Sequence, residues 1–126
     1  MRAVVQRVTR ATVSVGGAIR GGVDRGLLVY LGVASGDSEA DAEWMADKAA
    51  ELRIFEDHDG VMNRSAREEG LGALVISQFT LLADARKGRR PSYSGAAAQD
   101  AAQPLYEAFV RLLRGRLARV ETGVFQ

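Results

Sequence analysis

A chain of 126 residues carries 47% apolar residues, 26% charged residues and a formal net charge of +1. That is enough apolar material for one globular domain with its own core, and too much for a disordered chain. Cysteine is absent, which excludes disulfides, a thiol nucleophile and thiolate metal sites, and fits a reducing, cytoplasmic compartment.

In chain order, residues 2–8 read as a strand carrying Arg2 and Arg7, with Arg10 just beyond. The start has no long apolar run, and no run anywhere is long enough to span a bilayer, so neither a signal peptide nor a membrane segment is expected. Ala11 to Val15 alternates, Gly16-Gly17 reads as a turn, and Ala18 to Gly22 reads as a short return strand. Gly26 to Val33 is a continuous apolar run, suited to a strand buried on both faces. Ser35-Gly36-Asp37-Ser38 is a loop ending in a helix cap. The spacing predicts a helix over 39–52, with Ala42, Met45, Ala46, Ala49 and Leu52 on its buried stripe and Trp44 off it.

Arg53-Ile54-Phe55 predicts a short strand, Asp57-His58-Asp59-Gly60 a turn, and Ala73 to Gln78 a buried strand. Residues 83–96 form a loop rich in Arg, Lys, Gly and Ser. A second helix is expected to begin near Gln99 or Asp100. Pro104 belongs in or near its first turn, because deeper in a helix it costs about 3 kcal/mol. Leu105, Phe109, Leu112, Leu113 and Leu117 form the buried face, and Val120 to Phe125 starts a last strand. No linker, repeat or low-complexity tract divides the chain. Many strands with two helices predict a single α+β domain over 1–126, its helices covering one side of a largely antiparallel or mixed sheet.

The small net charge hides a pattern. Residues 1–34 hold five Arg and one Asp, residues 35–72 hold eleven acids and four bases, and residues 73–120 hold eight bases and three acids. Two basic segments flank an acidic one. If the basic segments meet in space, they attract a polyanion; otherwise they are ordinary solvated surface. Arg86, Lys87, Arg89 and Arg90 concentrate the second basic segment in one loop, suited to salt-sensitive, sequence-independent phosphate contacts.

The chemistry narrows by exclusion. The single His58 sits in a tight turn, with no nucleophile or orienting partner in its motif. Asp57-x-Asp59-Gly60 lacks the further ligands of a calcium loop. One histidine and no cysteine leave a zinc hydrolase without ligands, and no phosphate loop of the Gly-x-x-x-x-Gly-Lys type occurs. No metal and no cofactor are expected. Ser77-Gln78-Phe79-Thr80 remains, a row of hydroxyl, amide and aromatic groups at the end of a buried strand. Such a row either ends the strand by turn hydrogen bonds or forms a site on a rigid support.

Three segments in order carry a resemblance: Met1-Arg2-Ala3-Val4-Val5-Gln6-Arg7-Val8-Thr9-Arg10-Ala11, then Ser77-Gln78-Phe79-Thr80-Leu81, then Arg90-Pro91-Ser92-Tyr93. With Gly26 to Gly32, Arg53-Ile54-Phe55, Gly60-Val61-Met62-Asn63 and Leu105-Tyr106, they make the chain resemble the D-aminoacyl-tRNA deacylases, also called D-tyrosyl-tRNA deacylases, over nearly its whole length.

The resemblance implies a sheet curled toward a barrel, a homodimer, and hydrolysis of the ester between a D-amino acid, or glycine, and the 3′ end of tRNA. Family members continue beyond a point like Gln126 into a final strand with a Gly-Pro-Val-Thr segment, and the 126 residues stop before it, so this domain is expected to lack that strand. That segment enters the neighbouring subunit's pocket and supplies selectivity against L-amino acids. Arg7 matches an arginine that supports it, and Phe125 matches an aromatic of the pocket wall.

An aminoacyl ester is already activated, so backbone donors aimed at the developing oxyanion supply much of the rate, each worth roughly 2.7–4 kcal/mol. The amides of Phe79 and Thr80 are the candidate donors. Ser77 and Gln78 are candidates to hold the amino group or the terminal adenosine. The nucleophile is Thr80, a water or a substrate hydroxyl, with the last two favoured because no base is in sight for Thr80. The rival reading is a dimeric tRNA-binding module without turnover.

Overall fold

The computed structural model describes residues 1–125. In chain order its elements are β1 (Arg2–Val8), β2 (Ala11–Val15), β3 (Ala18–Val23), β4 (Gly26–Gly32), α1 (Glu39–Glu51), β5 (Phe55–Glu56), β6 (Met62–Arg64), β7 (Gly72–Ser77), α2 (Gln99–Arg114) and β8 (Arg119–Thr122), with a 3-10 turn at Phe79–Leu82. The main sheet runs β1-β4-β7-β8; β2-β3 and β5-β6 are separate two-stranded ribbons. β1 pairs antiparallel with β4, setting Val5 against Val29. β7 lies parallel to both β4 and β8, and Leu31 stands opposite Ser77. The α+β architecture is therefore present, with a mixed sheet whose ladder is open: β1 and β8 are its edges among the described residues.

Strand alternation sorts the sheet residues by face. Leu27, Val29 and Leu31 of β4 and Ala73 and Val75 of β7 join Phe55, Phe109, Leu113 and the alanines of α1 in one buried cluster. Leu28, Tyr30 and Ile76, on the opposite face, are only half-buried. α1 packs against α2 through Ala42, Ala46, Ala49 and Ala50, all buried. Met45 and Leu52 of the expected stripe are half-buried, because small side chains already bring the helices close. Trp44 is exposed at 61%. Glu39 and Asp47 of α1 pair with Arg111 of α2 and Arg116 just past its end, so acids of the middle segment partly neutralise the second basic one.

Several boundaries differ from the sequence expectations. The short strand is Phe55–Glu56 and not 53–55: Phe55 pairs with Arg64, while the Ile54 carbonyl accepts from Arg7 Nη1 at 2.9 Å. β7 ends at Ser77, one residue early, where the chain turns. The last strand is Arg119–Thr122, so Gly123 to Phe125 lie outside it. Pro104 sits at the sixth position of α2, past the first turn. Pro104 has no N–H for the Asp100 carbonyl, and Asp100 lies on an exposed turn open to solvent. On α2, Tyr106, Ala108 and Val110 are buried alongside Phe109 and Leu113, whereas Leu105 and Leu112 are half-buried. Among the described residues no helix is long and apolar enough to cross a membrane.

Candidate active site

The end of β7 builds the candidate site. All six residues of β7 pair with β4 and the first four also with β8, which fixes the backbone up to Ser77. The Gln78 N–H still reaches the Leu31 carbonyl at 2.8 Å. The chain then folds into the 3-10 turn, in which Leu81 N–H bonds Gln78 O at 3.3 Å and Ala83 N–H bonds Thr80 O at 3.1 Å. The first N–H groups of any helical turn have no partner inside it. Here the N–H groups of Phe79 and Thr80 find no acceptor among the described residues. On the far side of the turn, Arg2 Nη1 donates to the Leu81 carbonyl at 2.6 Å.

A cleft of about 250 Å³ opens beside this turn. Leu31 and Val33 come from the end of β4, Ser77 and Phe79 from the end of β7, Gln99 and Ala102 from the first turn of α2, and Phe125 from the tail. Apolar walls meet few polar groups there, the usual make-up of a small-molecule site. Larger recesses of about 410 Å³ beside Trp44 and about 370 Å³ between Arg20 and Arg119 lie away from the strand end.

Two aromatic contacts frame the cleft. The Phe125 ring stacks on Tyr106 at 5.3 Å and 41°. The buried Tyr106 hydroxyl donates to the Val75 carbonyl at 3.1 Å, and burial pushes its pKa up to about 12. It is a fixed donor at any physiological pH. Phe79, a cleft wall, also meets Tyr93 edge-on.

The predicted residues separate into groups. Ser77, Phe79 and Phe125 come together at the cleft. Gln78 and Thr80 follow in the same turn without lining the cleft, their side chains bonded to each other: Gln78 Nε2 donates to Thr80 Oγ1. Arg7 is not in this cleft. It stands opposite Leu27, four residues from Leu31, which is about 13 Å along the strand. It lines a separate recess with Arg25 and Glu56. Arg86, Lys87, Arg89 and Arg90 are exposed on the loop between the turn and α2. Arg86 pairs with Asp84 at 2.7 Å, which holds the Asp84 carboxyl below its usual range and the guanidinium above its own. The loop is pinned at its base, where the Asp84 and Ser92 backbones bond each other at 2.7 Å both ways. His58 is exposed at its turn, 3.7 Å from Asp59.

Sequence reasoning did not single out Leu31, Val33, Gln99, Ala102 or Tyr106 as site residues. The first two follow from the parallel register of β4 against β7, once that pairing is known. The others depend on how α2 lies across the strand end, which spacing does not encode.

The sequence model of the family described as D-Tyr-tRNA(Tyr) deacylase matches residues 4–126. The D-aminoacyl-tRNA deacylase of Anaeromyxobacter dehalogenans (strain 2CP-C) is 60% identical over 126 residues, covering 100% of this chain and 85% of the relative. That of Thermus aquaticus is 54% identical over 125 residues, covering 99% and 82%. The solved structure of the c-Myc DNA Unwinding Element Binding Protein superposes with a TM-score of 0.93 at 38% identity, covering 99% of this chain and 85% of that one.

Proposed function

The chain belongs to the D-Tyr-tRNA(Tyr) deacylase family and hydrolyses the ester of D-aminoacyl-tRNA, and we propose that it does so in the cleft at the end of β7. The carrying observation is the pair of unbonded N–H groups, Phe79 and Thr80, beside an apolar cleft on a rigid strand end. A tetrahedral intermediate puts negative charge on the former carbonyl oxygen. Two fixed donors at that oxygen stabilise the charge with no reorganisation.

Water, placed by a hydroxyl of the terminal ribose, attacks the ester carbon. The bond to the ribose oxygen breaks, that oxygen takes a proton, and free D-amino acid and tRNA leave. Thr80 is not the nucleophile in this reading, because its hydroxyl is tied to Gln78 and no carboxylate or imidazole is among the cleft walls. Ser77 holds the amino group or the adenosine from the cleft floor. Phe125, backed by Tyr106, is one wall. A glycyl ester fits the same reading, since it brings no side chain to accommodate.

The basic loop is the first contact for tRNA phosphates, through Lys87, Arg89 and Arg90, none of which has an ion-pair partner among the described residues. Pairing of two chains belongs to the same reading. Val4 and Ile19 expose apolar surface at 48% and 67%, area that a second copy would cover while closing the open sheet toward a barrel. Arg7, remote from its own cleft, is then a support at the pairing of the two chains, where the family's Gly-Pro segment, which is not among these 126 residues, gives selectivity against L-amino acids by a clash. A substrate made in translation implies a cytoplasmic location.

The test is deacylation of D-Tyr-tRNA and L-Tyr-tRNA by the chain and by Ser77→Leu, which fills the cleft. Hydrolysis of the D-ester by the former only supports the assignment. Equal rates for both chains move the site elsewhere.

A further inference from the structure

Gly32 ends β4 directly beneath the turn that carries the two free N–H groups. Its φ is not in the left-handed region, so the backbone alone would accept alanine. Space is what it lacks. A Cβ at position 32 would stand 2.9 Å from the Gln78 carbonyl oxygen and 3.2 Å from Leu81 Cβ, and would overlap Leu82 Cδ2. Leu82 can rotate its side chain away. The Gln78 carbonyl is backbone and can withdraw only by turning its peptide unit. That unit is planar and ends in the Phe79 N–H. Swinging the oxygen away from residue 32 therefore swings the Phe79 N–H through the same angle. The preceding peptide is anchored, because the Gln78 N–H is bonded to Leu31 O at 2.8 Å, so the rotation concentrates in the Gln78–Phe79 unit.

We propose that Gly32 is a positioning residue: its missing side chain sets the plane of the Gln78–Phe79 peptide and thereby aims the Phe79 N–H at the reacting carbonyl. The proposal rests on the oxyanion reading above, and it adds a residue that never touches substrate. Hydrogen bonds weaken steeply as they bend, so a re-aimed donor loses part of its stabilisation. Losing one oxyanion donor outright costs about 100-fold to 1000-fold in kcat. The partial loss expected for Gly32→Ala is about 10-fold to 100-fold, with KM nearly unchanged because the cleft walls stay in place.

The experiment uses Gly32→Ala, Leu82→Ala and the double variant, with D-Tyr-tRNA as substrate. For each, kcat, KM and Tm are measured, and the Phe79 amide resonance is followed in the 15N-labelled protein. Leu82→Ala removes the side-chain overlap and leaves the backbone one. Alanine at 32 should therefore cost little Tm in the Leu82→Ala background, while kcat stays low and the Phe79 amide stays shifted. This split separates positioning from mere packing, for which kcat and Tm would recover together, and the double variant remains informative if Gly32→Ala alone does not fold. An unmoved Phe79 amide, or kcat recovering with Tm, overturns the role of Gly32. A moved amide with unchanged kcat overturns the oxyanion assignment beneath it.

Discussion

The Tyr93 ring meets the Phe79 ring edge-on, with centroids 5.4 Å apart and planes at 66°. One ring belongs to the turn at the cleft, the other to the segment after the basic loop. Both are exposed, at 54% for Phe79 and 41% for Tyr93, so the pair offers an aromatic surface where a nucleic acid end would arrive. Stacking of a base on such a ring is worth roughly 1–3 kcal/mol. Tyr93→Ala should raise KM for D-Tyr-tRNA by about 5-fold to 150-fold, the same range expressed as affinity, and change kcat little. Tyr93→Phe should restore KM. Steady-state kinetics decides it, and an unchanged KM in Tyr93→Ala removes the ring from substrate binding.

The basic loop makes a prediction about salt. Replacing Arg86, Lys87, Arg89 and Arg90 together by Ser should weaken tRNA binding and flatten its salt dependence. Each phosphate contact contributes a slope of about 0.7–0.9 in log K against log salt. Arg86 is already neutralised by Asp84, so the slope should fall by about two to three units and not by the value for four contacts. Filter binding over a range of salt concentrations measures this. An unchanged slope would leave the loop as solvated surface.

The hydrogen bond between Gln78 and Thr80 predicts how the turn tolerates change. Thr80→Val removes a hydroxyl that faces Gln78, so measurable deacylation should remain. Gln78→Pro removes the N–H that bonds Leu31 and restrains the residue before it, which lies at the cleft. That variant should lose activity while still forming the fold, as judged by circular dichroism. Complete loss in Thr80→Val would restore the nucleophile role to its hydroxyl, and full activity in a folded Gln78→Pro would remove the backbone donors from the mechanism.

Most of the fold was legible because its signals are local. The alternation of Ala11 to Val15, the Gly16-Gly17 turn and the apolar run after Gly26 each specify an element without reference to the rest. Ser38 as a cap was equally legible: its N–H donates to Asp41 at 2.8 Å at the start of α1. The misplacements occur where tertiary contacts decide. Ile54 gives its carbonyl to Arg7, from 47 residues earlier, and Pro104 is tolerated at the sixth helical position because its orphaned carbonyl partner lies on an exposed turn. The site was half legible. Ser77 and Phe79 stand on a strand end that periodicity reveals. Gly32 is silent in sequence, because the reason for a glycine there is a turn nearly fifty residues later.

Tyr106 gives a pH prediction. Its hydroxyl is buried against the Val75 carbonyl, and its pKa is raised to about 12, against about 10 in an unfolded chain. Below pH 10 both states hold the proton, and the bond contributes its full share, about 1 kcal/mol for a buried hydrogen bond. Between the two pKa values the unfolded chain has released the proton and the folded chain has not. The unfolded state then binds fewer protons, so stability falls as pH rises, by up to about 1.4 kcal/mol per pH unit. Tyr106→Phe keeps the ring against Phe125 but has no proton to lose. The two chains differ only in this hydroxyl, so the difference between them isolates it. Urea melts should show the parent more stable than Tyr106→Phe by about 1 kcal/mol at pH 8, with the gap shrinking from about pH 10 and reversing by about pH 11. A gap that stays constant from pH 8 to about pH 11.5 would show that the Tyr106 hydroxyl is not held protonated by the fold, and Phe125 would then lose its fixed backing at the cleft.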